Sequence, residues 1–208
     1  MPFSRSAKKC GEAETHLTVR CIDVPWKPEE YARLPKHPVS VILDNLRSAF
    51  NVGAIYRTAD AARIASVLPC GYTAHPPHLK LEKTALGSEK YVKSEYFRHA
   101  IDAVRAMKER GTATVALETA DGVPYYSDFT YPSPVCLVVG NEALGVSREV
   151  LAECDAVVQI PLFGFKNSLN VSNAFAVVLF EILRQRGFQI EGGAVNRPGI
   201  KTPHTSVR

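Results

Sequence analysis

Three polar, glycine-bearing segments concentrate the residues able to do chemistry: DNLRSAFNVGAIYRTADA (44–61), VVGNEALGVS (138–147) and IPLFGFKNSLNVSNA (160–174). Their spacings are N-x-x-x-x-x-R-T from Asn51 through Arg57, G-N-E-x-x-G from Gly140 to Gly145, and I-P…S-L-N-V-S from Ile160 to Ser172. The groups on offer are a guanidinium, a carboxylate, carboxamides and hydroxyls. A guanidinium is effectively always protonated, so Arg57 can clamp an anion but cannot by itself serve as a general base. No G-x-G-x-x-G follows the first apolar run and no G-x-x-x-x-G-K-[ST] occurs anywhere, so the two usual phosphate cradles of α/β proteins are missing. His75 and His78, in HPPH, fall short of the four ligands a structural metal site usually wants; they read as loop residues, and no metal is expected.

The elements that must position these segments alternate. VSVILDNL (39–46) reads as a strand, 49–64 as a helix, SVLPCGYTA (66–74) as a strand, 95–111 as a helix closed by Gly111, and TATVALET (112–119) as a strand. VCLVVG (135–140) is a fourth apolar run, followed by a helix over 147–155 with Ser147 as N-cap, a short strand AVVQIP (156–161), and a long helix from Val171 to Arg186. Such alternation predicts an α/β fold, a mostly parallel sheet flanked by helices, in which VSVIL and VCLVV are continuous apolar runs because both faces are buried. Ligands bind beyond the carboxyl ends of strands in such sheets, and all three segments stand there. The last helix is apolar almost all round over its first ten residues and must be buried on more than one side, either among its own chain's elements or against a second subunit.

Together the three segments resemble motifs 1, 2 and 3 of the SpoU (TrmH-type) RNA 2′-O-ribose methyltransferases of the SPOUT superfamily, in order, over about residues 39–186. The resemblance implies a C-terminal deep trefoil knot, S-adenosylmethionine as cofactor, RNA as partner and a homodimer packed through the knotted regions. It implies that Val139, Gly140, Asn141, Ile160, Pro161, Leu162, Gly164, Ser168 and Leu169 form the cofactor pocket, largely through backbone groups, with glycines 140, 145 and 164 allowing close approach or positive φ. Arg57 matches the motif-1 arginine and carries the catalytic role, holding either the phosphate beside the target ribose or acting as a clamp with water as proton acceptor. Asn51, Glu142, Ser168 and Asn170 complete the catalytic set: Asn51 orients the ribose or Arg57, and Glu142 fixes Arg57 or Asn51. Asn51 could equally cap its helix, Glu142 could serve as a carboxylate near a helix N-terminus, and Ser172 could cap the last helix. Arg47 and Arg63 flank motif 1 as candidate RNA contacts. Lys80, Lys83, Lys90 and Lys93, with Tyr91, form either a track for an RNA backbone or a solvated face.

Charge is uneven. Residues 1–40 hold seven Lys+Arg against five acids and 186–208 hold four against one, while the middle holds fourteen against fifteen. Basic ends on a near-neutral core suit a polyanion. The expected organisation is an N-terminal extension (1–38), a methyltransferase domain (39–187) and a basic, flexible tail (188–208). With about 38 residues before the first strand there is no room for an independent RNA-binding domain, which points to a tRNA ribose, in the D-arm or anticodon loop, rather than rRNA. Cysteines 10, 21, 70, 136 and 154 have no C-x-x-C spacing and read as reduced thiols. No run approaches the roughly 20 apolar residues of a membrane span and no secretory h-region opens the chain, so a cytoplasmic location is expected. The rival readings are an RNA-binding protein of this fold without catalysis, and an α/β enzyme acting on a small nucleotide.

Overall fold

Continuous apolar runs become the centre of a sheet when both of their faces are covered, and the computed structural model, which describes residues 27–189, has this arrangement. In chain order the elements are α1 (Pro28–Ala32), β1 (His37–Asp44), α2 (Ala49–Ala61), β2 (Ile64–Cys70), α3 (Leu79–Ala85), a 3₁₀ turn (Ser88–Lys90), β3 (Lys93–Ser94), α4 (Ala100–Glu109), β4 (Ala113–Leu117), β5 (Val135–Val139), α5 (Arg148–Glu153), β6 (Ala156–Val158) and α6 (Val171–Gln185). The six strands are ordered β3-β2-β1-β5-β4-β6, every pairing parallel.

The pleat sends alternate residues to opposite cores. Val39, Val41 and Leu43 of β1, with Val135, Leu137 and Val139 of β5, pack under α2, α3 and α6; Ile42, Cys136 and Val138 pack on the other face under α4 and α5. α6 buries one stripe, Val171, Phe175, Val178, Leu179, Ile182 and Leu183, while Val177 and Phe180 stay exposed. Within one chain, therefore, α6 is covered on one side only. After β6 the chain leaves the edge of the sheet and α6 packs against α2, beyond the intervening β4 and β5, a crossing compatible with the trefoil knot the resemblance implies.

Several boundaries differ from the sequence reading for local reasons. The first strand ends at Asp44 because Asn45 takes a left-handed conformation (φ 55°) that turns the chain outward. The first long helix stops at Ala61, and Arg63 (φ 49°) turns the chain into β2. Residues 95–97 are not helical: Phe97 bridges to Cys70 at the sheet edge. α3 and β3 were not expected at all. The N-terminal residues 1–26, including Cys10 and Cys21, and the tail 190–208 lie outside the described residues; Cys70, Cys136 and Cys154 are free thiols.

Candidate active site

The parallel sheet brings segments 44–61, 138–147 and 160–174 to its carboxyl edge, where a hydrogen-bond chain joins all three. Ser48 caps α2, its hydroxyl accepting from the Asn51 amide at 3.3 Å. This relieves the Asn51 side chain of the capping role. Glu142 accepts from the backbone N–H of Arg47 (2.8 Å) and Ser48 (3.1 Å) and from Nδ2 of Asn51 (2.8 Å). Partial burial would raise its pKa, but donors from the Arg47 amide, the Asn51 carboxamide, its own amide and the Ser48 amide outweigh this and hold the carboxyl below its ordinary value.

An ionised carboxylate only accepts, and the polarity of the rest follows. Asn51 must present its NH₂ to Glu142, so its Oδ1 is left to accept from Nδ2 of Asn170 at 3.0 Å. Asn170 then presents Oδ1 to the amide (3.0 Å) and hydroxyl (2.6 Å) of Ser172, and in doing so caps α6. Asn170, not Ser172, is thus the N-cap of the last helix.

A second set of contacts shapes the 138–147 loop. Asn141, almost fully buried, accepts from the amides of Ala143 (2.9 Å) and Leu144 (3.1 Å) and donates to the Asn45 carbonyl (2.7 Å) and the Tyr72 hydroxyl (2.6 Å). Asn141 and Gly145 exchange backbone hydrogen bonds in both directions. Gly140 sits so close to the returning chain that a Cβ would lie 2.1 Å from Gly145 C and Val146 N, and Gly145 has φ +71°. Gly164 shows neither constraint: space around it is open. From below, Glu118 accepts from Val146 N at 2.8 Å and buried Asp44 from Ser147 N at 2.9 Å. The roles of Asp44, Asn45, Tyr72 and Glu118 were not legible in the sequence because each stands at or just past the end of an apolar run, with partners up to 103 positions away.

Not every expected residue joins this cluster. Arg57 projects from the exposed face of α2 with no hydrogen bond or ion pair among the described residues; Glu142 engages Asn51 instead. Ser168 and Leu169 are exposed on the loop before α6. Arg63 lies at the opposite end of the sheet, before β2, with its guanidinium 5.9 Å from the Tyr31 ring centroid; the structure does not bring it to the site. Arg47 joins through its backbone, its guanidinium being exposed. His78 caps α3, accepting from the Leu81 amide, and the His75 ring packs on Tyr96.

The donor set suits an adenosine. Among the described residues, the backbone N–H and C=O groups from Ile160 to Lys166 make no hydrogen bond, leaving a run of donors and acceptors for a ligand to meet. Val139 is buried in the core just before the glycine loop, and Ile160, Pro161 and Leu162 are half-buried.

The model of the SpoU rRNA methylase family matches residues 38–180, which spans this entire arrangement. The chain belongs to the SpoU family. Among its relatives, the tRNA (guanosine(18)-2′-O)-methyltransferase of Thermus thermophilus is 34% identical over 172 residues, covering 83% of this chain and 86% of the relative. The solved structure of the A. aeolicus TrmH/SpoU tRNA modifying enzyme superposes with a TM-score of 0.70 at 30% identity, over 77% of this chain and 81% of that one. The SpoU methyltransferase AviRb from Streptomyces viridochromogenes, solved in complex with AdoMet, gives 0.66 at 29%, over 76% and 64%. The SpoU chain thus has a SPOUT-type sheet, and its three motifs meet at the sheet's carboxyl edge.

Proposed function

We propose that this SpoU protein transfers a methyl group from S-adenosylmethionine to a ribose 2′-hydroxyl of tRNA, at the guanosine 18 that its Thermus relative is named for. The observation that carries the reading is the chain Glu142–Asn51–Asn170–Ser172, which locks one residue from each motif into a single orientation. The 140–145 loop and the backbone of 160–168 would hold the cofactor, whose sulfonium supplies an electrophilic methyl group when bound. A ribose hydroxyl is a poor nucleophile until oriented and relieved of its proton. Asn51 and Asn170, unable to rotate without breaking the chain, present fixed polar edges to that ribose. Arg57, permanently charged and unpartnered, is free to clamp the phosphate beside it; the proton passes to that phosphate or to water, never to the guanidinium.

The exposed face of α6, with Val177 and Phe180, and the exposed Phe163 and Phe165 before it, suit a homodimer interface. Among the described residues no helix is long and apolar enough to cross a membrane. With tRNA as substrate, the cytoplasm is the proposed location. The function is tested by incubating tritiated S-adenosylmethionine with an unmodified tRNA transcript, beside Arg57→Ala. Label on a ribose 2′-oxygen that falls about 100-fold or more in the variant is expected; a protein that binds the cofactor yet labels no tRNA would overturn the reading.

A further inference from the structure

A cleft of about 590 Å³ opens beside the Glu142 cluster, beyond the ends of β1 and β2, with Arg47 to Phe50 as one wall and the 71–80 loop as the other. The volume falls within the roughly 300–1,000 Å³ of small-ligand sites. Its lining combines cations (Arg47, Lys80), imidazoles (His75, His78) and aromatic rings (Phe50, Tyr72), and no carboxylate lines it. Its walls are held by the same loop that shapes the site. Glu142 fixes the backbone of Arg47 and Ser48 on one side, while its neighbour Asn141 holds the Tyr72 hydroxyl at 2.6 Å on the other.

Tyr72 is 63% exposed although its hydroxyl is tied down, so the residue stands open to solvent in a fixed orientation. Behind it the His75 ring packs on Tyr96 at 4.7 Å, and Tyr96 donates to the Gly71 carbonyl at 3.0 Å. Thr73 braces the floor, accepting from Leu46 N and donating to the Leu43 carbonyl. Neither the Arg47 guanidinium nor the Lys80 ammonium has an ion-pair or hydrogen-bond partner among the described residues. A rigid, exposed ring between unpartnered cations suits a planar, uncharged base flanked by phosphates.

We propose that this cleft is a nucleotide subsite for the RNA substrate. An unstacked base beside the target ribose lies on Tyr72, with Phe50 at its edge, and Arg47 and Lys80 take the adjoining phosphates. The assignment rests on the methyl-transfer reading and adds to it the surface that selects a single-stranded loop over a duplex.

The test is binding of a fluorescein-labelled, unmodified tRNA transcript in the presence of S-adenosylhomocysteine, for wild type, Tyr72→Phe, Tyr72→Leu and Lys80→Ala. Both Tyr72 variants lose the hydroxyl that meets Asn141, so any difference between them reports the ring. Tyr72→Leu is expected to bind about 10-fold more weakly than Tyr72→Phe. Lys80→Ala is expected to flatten the log–log salt dependence by about 0.7–0.9. Equal affinities or an unchanged slope overturns the subsite and leaves methyl transfer standing. A wild-type protein that binds S-adenosylhomocysteine but no tRNA overturns both. Should Tyr72→Leu lose S-adenosylhomocysteine binding, the Lys80→Ala slope decides alone.

Discussion

Glu142 sets the direction of every hydrogen bond beyond it, because an ionised carboxylate offers acceptors to Arg47, Ser48 and Asn51 and donors to none. Glutamine in its place would turn an NH₂ toward at least one of those donors. Its folded-state pKa lies below the ordinary value, so the stabilisation it provides is present above the unfolded pKa of roughly 4.3 and is lost as pH falls through the folded one. Urea unfolding should find Glu142→Gln less stable than wild type by about 1 kcal/mol at pH 7, a modest figure because the group is partly solvated. The gap should narrow as pH falls below the ordinary carboxylate range; a gap equal at pH 7 and pH 3 would mean that the anchor does not depend on charge. Asn51, Glu142 and Asn170 were legible in the sequence because three spacings coincided. What one chain's residues could not reveal was which partner Glu142 takes: Asn51 is engaged and Arg57 is not, a consequence of where α2 starts.

At the scale of the element, the turn after β5 is governed by close packing. Gly140 meets backbone atoms of Gly145 and Val146, which cannot swing aside as a side-chain tip would. Gly140→Ala should therefore displace the loop and cost about 1–3 kcal/mol of stability, with loss of S-adenosylhomocysteine binding in calorimetry. Normal binding with normal melting would show that the loop has slack. Gly164→Ala, in open space, should leave melting unchanged. The strands were readable because β1 and β5 are unbroken apolar runs buried on both faces. α3 was not: LKLEKTA spans seven residues, too few for a helical period to emerge, and its first residue, Leu79, is exposed against the pattern. β3 has two residues, both solvent-facing, and exists only because β2 leaves an edge to pair with.

The whole molecule has to reconcile a fixed cluster with an arginine that stands apart from it. Asn51 and Arg57 are both on α2, six positions apart, which is about 9 Å along the axis and about 120° around it. Asn51 turns inward to Glu142 while Arg57 points into solvent. α6, packed beside α2, leaves Val177 and Phe180 exposed, the latter by 46%. If two copies associate through that face with the exposed side of α2 against the partner, Arg57 of one chain reaches the cluster of the other, and one active site uses residues of both chains. Phe180→Asp would place a charge in the interface and should shift light-scattering mass from two chains to one, abolishing methylation while single-chain secondary structure persists by circular dichroism. Complementation decides whether the sites are shared. Arg57→Ala and Asn51→Ala are each expected to be inactive alone. Unfolded together and refolded as a mixture, half of the dimers are mixed, and each of these holds one site with both residues intact, giving about a quarter of wild-type activity. No recovery, with mixed dimers verified by mass, would mean that Arg57 serves the site of its own chain and must swing toward it when RNA binds.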